Sequence, residues 1–437
     1  MSGGLQAPRG TFDVQPGDAR RRLRLQRLVE EVLGRAGYEP FETPIFEDTD
    51  VFARGVGEST DIVQKEMFTF EDKAGRSLTL RPEGTAGVCR AYVEHGMHKL
   101  ALPVKVWYWG PFFRHEAPQA GRFRQFTQFG AEAIGSDDPS LDAELILLLG
   151  EIFERAGAGP ARLRLSSLGT RETRSAYLEE LTAYLREHEG ELSDEVRARL
   201  EANPLRAFDA DHEGTKGVVA GAPKLLDRLS ADDKEHFEAV RALLDVAGAT
   251  YELDPTLVRG LDYYTRTVFE FESERLGAQA ALGGGGRYDG LVEELGGPPT
   301  PGVGWAAGVE RVLLAAQDEE PESGGRTEPG RRTEPGGRGE PSARGEPSGR
   351  VFISFTHDDA LRAGFTLAQQ LRGQGIRVEM EQAGRSLKGQ LKQADRIGAS
   401  VVVLVGEGIE VKDMDSGEQQ PVRDSAEAVE KVRELLA

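Results

Sequence analysis

"KVWYWGPFFRHEAPQAGRFRQFTQFGAEAIG", residues 105–135, sets two aromatic-rich apolar stretches on either side of a short polar segment. Alternation at a period of two, in residues that suit a pleated surface, predicts strands ending in turns. Similar stretches recur far along the chain, as "YELDPTLVRGLDYYTRTVFEFES" at 251–273 and as "GVGWAAGVERVLL" at 302–314, the last running into a helix. Long aromatic strands so widely separated in sequence favour a mostly antiparallel sheet flanked by helices, an α+β fold.

Between these strands the texture changes. "RETRSAYLEELTAYLREHEGELSDEVRARLEANPLRAF" has helical periodicity and many Glu/Arg pairs four apart, so residues 171–250 read as a helical insertion within a first domain of residues 1–317. Residues 318–350 repeat short Arg-x-Glu-Pro-like units with no large apolar side chain. Such a segment cannot bury apolar surface and should be a disordered tether, spanning roughly 30 Å as a coil. Beyond it, the buried-strand runs "VFISF" and "SVVVLVG" alternate with helical segments, which predicts a separate α/β domain over 351–437.

The chain has 437 residues, a formal net charge of −20 and a single cysteine, Cys89. One cysteine excludes a disulfide framework and a four-cysteine zinc site, and fits a reducing compartment. The N-terminus has no apolar leader core and no run of eighteen apolar residues occurs, so the expectation is a cytoplasmic protein that does not enter a membrane. Strong negative charge argues against indiscriminate coating of nucleic acid. Any nucleic-acid contact must use local basic patches, and Arg385, Lys388, Lys392 and Arg396, at spacings of 3, 4 and 4, would share one helix face. That stripe is either a solvated face or a contact to an RNA backbone.

Glycine-rich strings raise the question of phosphates. No Gly-x4-Gly-Lys-Ser/Thr string exists, and "GVGWAAG" matches a dinucleotide fingerprint at Gly302, Gly304 and Ala307 without the preceding apolar strand it needs. The quartet in "ALGGGGRYDG", residues 281–290, fits neither pattern; bare backbone there implies close approach of something else. Arg114, Arg259 and Arg311 each sit at an apolar strand edge or helix start, where planar guanidinium groups suit phosphates and carboxylates. Glu83, Gln128, Glu132, Tyr263 and Tyr264 interrupt apolar surroundings, and Gln128 and Glu132, four apart in a strand, face the same way.

Five blocks in order, "TLRPEGTAGVCRAYVEHG", "GPFFRHEAPQAGRFRQFTQFGAE", "LVRGLDYYTRTVFEF", "ALGGGGRYDGL" and "PGVGWAAGVERVLL", resemble the histidyl-tRNA synthetases, a family of class II aminoacyl-tRNA synthetases. "PFETPIFEDTDVFARGVGESTDIVQKEMFTF" is similar to the family's first class II motif, which implies a homodimer. The resemblance implies a class II catalytic domain, a C-terminal anticodon-binding domain and a two-step reaction of L-histidine, ATP with Mg2+, and tRNA(His). Arg114 and Arg311 would hold phosphates, Glu116 would read the adenine amino group and Phe126 would stack on the base. Arg259 would bridge the histidine carboxylate and the α-phosphate.

The same carry-over gives Glu83, Thr85 and Gln128 to the α-ammonium, and Glu132 and Tyr264 to the imidazole. Tyr263 joins this pocket. The glycine quartet, Gly285 within it, becomes a loop against which the amino acid lies, closed by Tyr288. Gln119 and Arg122 of the motif 2 loop would meet the acceptor end of the tRNA, and the basic stripe would fall in the anticodon-binding domain. The chain departs from the family at Thr127, where histidine is usual, and in the length of its linker. A non-catalytic regulatory paralogue of ATP phosphoribosyltransferase is the rival reading; it is disfavoured because Arg114, Arg259, Arg311 and residues 351–437 are all present.

Overall fold

A computed structural model describes residues 5–57, 60–118, 121–201, 203–257, 260–277, 280–316 and 349–436. The chain divides into two compact units, one of Met1–Ala315 with Glu381–Ser386, the other of Ala316–Met380 with Leu387–Ala437. Almost all of the Arg-Glu-Pro tether expected at 318–350 lies outside the described residues.

In chain order, the strands of the first unit are β1 (Glu39–Pro40), β2 (Phe46–Asp48), β3 (Phe68–Glu71), β4 (Ser77–Leu80), β5 (Val104–Phe113) and β6 (Gln125–Ile134). β7 (Arg162–Ser167), β8 (Glu252–Leu253), β9 (Thr265–Glu272), β10 (Ala281–Arg287) and β11 (Gly302–Gly308) complete them. Eight form one sheet in the order β1-β5-β6-β11-β10-β9-β7-β8, and β2, β4 and β3 form a smaller one. Only the edge pairs of the large sheet, β1 with β5 and β7 with β8, run parallel. The sheet is therefore mostly antiparallel, as the aromatic alternation predicts.

Residues 105–135 supply its heart. β5 and β6 pair along their whole length, from Val104 opposite Ile134 to Phe113 opposite Gln125. Helices cover the sheet because their apolar stripes need it. The first, α1 (Pro16–Arg35), opens on a proline in its first turn and buries Leu25, Val29, Val32 and Leu33. After α2 (Thr49–Val56) and α3 (Thr85–Glu94), α4 (Pro139–Arg155) begins where the Asp138 carboxylate accepts the Ser140 N–H, and most of its residues, Asp142 and Glu144 included, are buried.

Residues 171–246 carry α5 (Arg171–Glu187), α6 (Asp194–Arg199), α7 (Glu213–Gly221) and α8 (Ala231–Val246). The first three share buried Tyr177, Leu181, Leu185, Val196 and Val218, whereas α8 packs against α4. Short helices α9 (Leu291–Glu294) and α10 (Val309–Ala315) follow the last strands.

The second unit holds β12 (Arg350–Phe355), α11 (Leu361–Gly373), β13 (Arg377–Met380), α12 (Leu387–Arg396), β14 (Val401–Val405), β15 (Ile409–Asp413), β16 (Gln419–Val422) and α13 (Ser425–Leu436). Its sheet runs β13-β12-β14-β15-β16, parallel in the first three strands and antiparallel in the rest. This is the α/β domain read from the sequence.

Two local expectations change. Arg385 precedes α12 and groups with the first unit, where its guanidinium bonds the Glu381 carboxylate at 3.1 Å. The basic stripe on α12 therefore reduces to Lys388, Lys392 and Arg396, all exposed, opposite buried Gln390 and Ala394. The glycine quartet is not a loop: it is the interior of β10, paired on both sides by β9 and β11. Glycine weakens a lone strand, but two flanking ladders satisfy the backbone here.

Candidate active site

A cavity of about 610 Å3 opens over the middle of the large sheet. It gathers Glu83, Thr85, Arg114, Glu116, Arg122, Phe126, Gln128, Tyr263, Tyr264 and Arg311 from five separate stretches of sequence. Arg259 and Gln119 lie outside the described residues. Glu132, Tyr288 and Gly285 do not line the cavity wall; Glu132 and Tyr288 stand directly behind it.

The buried end is built on β6 and the start of α3. Glu83 is 5% exposed and caps α3, its carboxylate accepting the N–H groups of Thr85 at 2.8 Å and Ala86 at 2.9 Å. Tyr263 adds a hydroxyl at 3.3 Å. Burial still raises the Glu83 carboxyl above its ordinary range, against those donors.

Glu132 is fully buried and accepts from Thr85 Oγ1 at 2.7 Å, Tyr288 OH at 2.7 Å and Tyr108 OH at 3.4 Å. Burial pushes its pKa up to about 8. Thr85 links it to the cavity. Gln128 lines the same floor, and its buried Oε1 has no hydrogen-bond partner. A buried amide oxygen left open in this way is suited to a donor from a ligand.

Glycines make this floor possible. A Cβ at Gly304 would collide with the Glu132 carboxylate, and one at Gly84 or Gly130 would collide with the Tyr108 ring. The string that matched a nucleotide fingerprint is thus the strand that clears room for a carboxyl group. Gly285 meets the backbone of Gly304 and Trp305, so its missing side chain lets β10 and β11 lie together and exposes no surface to a ligand. Tyr288 packs its ring against Gly302 and donates its hydroxyl to Glu132.

The open end is cationic. Arg114, just past β5, donates Nε to the Pro82 carbonyl at 2.9 Å and sits over the Phe126 ring at 5.6 Å. Glu116 lies 3.9 Å from Arg114 and 3.2 Å from Arg122. Arg311 on α10 donates Nε to the Ala281 carbonyl at 2.6 Å, and burial together with Arg122 disfavours its charge. An anion entering here would relieve that repulsion.

Thr127 faces away from the cavity, donating its N–H to Glu310 and accepting from Arg22 at 3.0 Å. The sequence reading missed several wall residues. Glu270 and Glu272 alternate with apolar neighbours in "TVFEFES", which is a legible signal; Arg206 and Phe208 come from the helical region and gave none. Arg287, in β10, is fully buried on Asp142, at 2.7 Å, which sequence spacing could not reveal. Although burial disfavours the Asp142 charge, Arg287 and His236 outweigh it and hold the carboxyl below its usual range.

Comparison with known proteins agrees with this geometry. The histidyl-tRNA synthetase family matches residues 10–312, and an anticodon-binding domain family matches residues 350–435. The chain is 47% identical to the histidine–tRNA ligase of Thermosynechococcus vestitus over 95% of this chain and 94% of that one. It is 47% identical to that of Rubrobacter xylanophilus, over 95% and 96%. Among solved structures, the apo histidyl-tRNA synthetase of S. aureus superposes with a TM-score of 0.60 at 35% identity, covering 98% of this chain and 100% of that one. With a family match over most of its length and relatives this similar over nearly the whole chain, the chain belongs to the histidyl-tRNA synthetases.

Proposed function

We propose that the protein is a histidine–tRNA ligase whose cavity holds histidine at its buried end and ATP at its cationic end. The observation that carries this is the polarity of the cavity, with Glu83 and Gln128 on the floor and Arg114 and Arg311 at the mouth. The α-ammonium of histidine would meet the Glu83 carboxylate and the open Gln128 Oε1. The imidazole would lie between Tyr264 and Glu132, the latter exchanging its Thr85 bond for a ring nitrogen.

In the first step a histidine carboxylate oxygen attacks the α-phosphorus, and the bond to the β-phosphate breaks to release pyrophosphate. Two anions must meet. Fixed cations offset that repulsion where charge develops, and Arg114 and Arg311 support this reading, with Arg259 a further candidate. Mg2+ would enter as part of the ATP substrate. Phe126 and Glu116 would take the adenine by stacking and by hydrogen bonding. In the second step the terminal hydroxyl of the tRNA attacks the carbonyl and AMP leaves.

Arg122 beside the motif 2 loop, and Lys388, Lys392 and Arg396 on α12, are proposed phosphate contacts for the tRNA. We also infer a homodimer. Phe46 and Phe70, 51% and 44% exposed on the small sheet, form an apolar patch that supports it. A single buried cysteine fits a cytoplasmic protein, and no helix of the described residues is long and apolar enough to cross a membrane. The regulatory reading is less supported, with Arg114 and Arg311 both at the cavity.

The test is amino-acid-dependent ATP/pyrophosphate exchange with all twenty amino acids supplied singly. Exchange with histidine alone is the expected result. A folded protein with no exchange for any of them would overturn the reading.

A further inference from the structure

Arg174 belongs to no motif, yet it joins two parts of the molecule. It lies in the first turn of α5, where the helical region leaves the sheet, and the Thr170 side chain caps that helix start. Its Nη1 donates to the Asp262 carbonyl at 3.2 Å and to the Tyr264 carbonyl at 3.1 Å. Those two carbonyls flank Tyr263. The same loop is also fixed where the Asp262 N–H donates to the Val56 carbonyl at 3.2 Å, at the end of α2. Hydrogen bonds to both α5 and α2 hold the loop.

What the grip positions is the histidine end of the cavity. Tyr263 and Tyr264 both line it, their rings 4.8 Å apart, and Tyr263 reaches the Glu83 carboxylate. Taking the half-buried Arg174 guanidinium out of water has a cost: burial lowers its pKa, with Arg171 adding to the shift and the Asp262 charge opposing it. Such a cost is retained where the bonds fix something that a looser side chain would not.

We propose that Arg174 is a positioning residue through which the root of the helical region sets the two tyrosines of the histidine pocket. Arg174 acts through the backbone of residues 262–264 and touches neither substrate. The proposal rests on the histidine reading of the cavity. It also makes the helical region part of the amino-acid site rather than an appendage.

Pyrophosphate exchange with varied histidine and varied ATP tests it in the full-length protein. Arg174→Met keeps the apolar stem and removes both bonds; the expected result is a histidine KM raised about tenfold or more with the ATP KM within about twofold. Arg174→Lys, which can reach one carbonyl, should recover part of the loss and guards against a Met variant that fails to fold. Equal changes in both KM values, a fall in kcat alone, or no change in either variant would overturn the proposal. Absence of histidine-dependent exchange in the unmodified protein would instead remove the histidine reading itself.

Discussion

The two ends of the cavity handle charge in opposite ways. At the floor, Glu83 is 5% and Glu132 0% exposed, and both are raised toward the neutral form by burial. At the mouth, the Arg114 and Arg122 side chains keep 21% and 44% of their surface. The floor can therefore distinguish ligands by the direction of hydrogen bonds, since a mismatched group leaves a buried donor or acceptor unpaired. The mouth would work by field, its guanidinium groups attracting a phosphate. On the proposed reading, selectivity and acceleration would reside at different ends.

That division can be broken in order of expected effect. Arg114→Ala should lower the rate of histidine-dependent pyrophosphate exchange by about 100-fold to 1000-fold while the histidine KM moves little; a rise confined to the histidine KM would erase the distinction. Glu132→Gln should do the converse, raising the histidine KM roughly tenfold to a hundredfold with the ATP KM unchanged, because one of its donors loses its best acceptor. Phe126→Ala should raise the ATP KM by about tenfold, the size of one lost stacking contact. Steady-state titrations of each substrate separate the three.

The smallest effect concerns pH. Glu132 binds its proton more tightly in the fold, with a pKa of about 8, than in the unfolded chain. Its contribution to stability is therefore complete below the ordinary carboxylate range, falls as pH rises, and is gone above about 8. Thermal unfolding of the ligand-free protein between pH 5 and 8.5 should show a decline that Glu132→Gln flattens. An identical slope in the variant would mean that another group carries the titration.

How much of this was legible depended on whether a residue's role is local. Strands β5 and β6 follow from alternation in "KVWYWGPFF" and "QFTQFGAE", because period two is a property of neighbours. Glu83, Gln128, Arg114 and Arg311 stood out as polar groups in or beside apolar runs, whereas Thr85, Glu116, Phe126 and Arg122 came only from the family resemblance. Gly304 was legible only as a glycine: the carboxyl group it makes room for is on β6, and a register of paired strands decides that. The Arg287–Asp142 pair and the Arg174 grip are long-range choices of partner, which spacing cannot encode. Arg385 was misread because its spacing continues a helical face that begins only at Leu387.

The cleared strands also set limits on redesign. Gly84, Gly130 and Gly304 hold space that other side chains of the same site already occupy, so no point substitution at them can be absorbed by a shift of solvent. Widening the pocket for a bulkier amino acid would begin at Tyr108, whose ring fills the space beside Gly84 and Gly130, or at Glu132, whose carboxylate fills the space beside Gly304. Change there is reversible by a single step, whereas change in the glycines would have to be preceded by the loss of the Tyr108 ring or the Glu132 carboxylate. The order in which substitutions can accumulate, and hence the routes open to a new specificity, is written into which strand gave up its side chains.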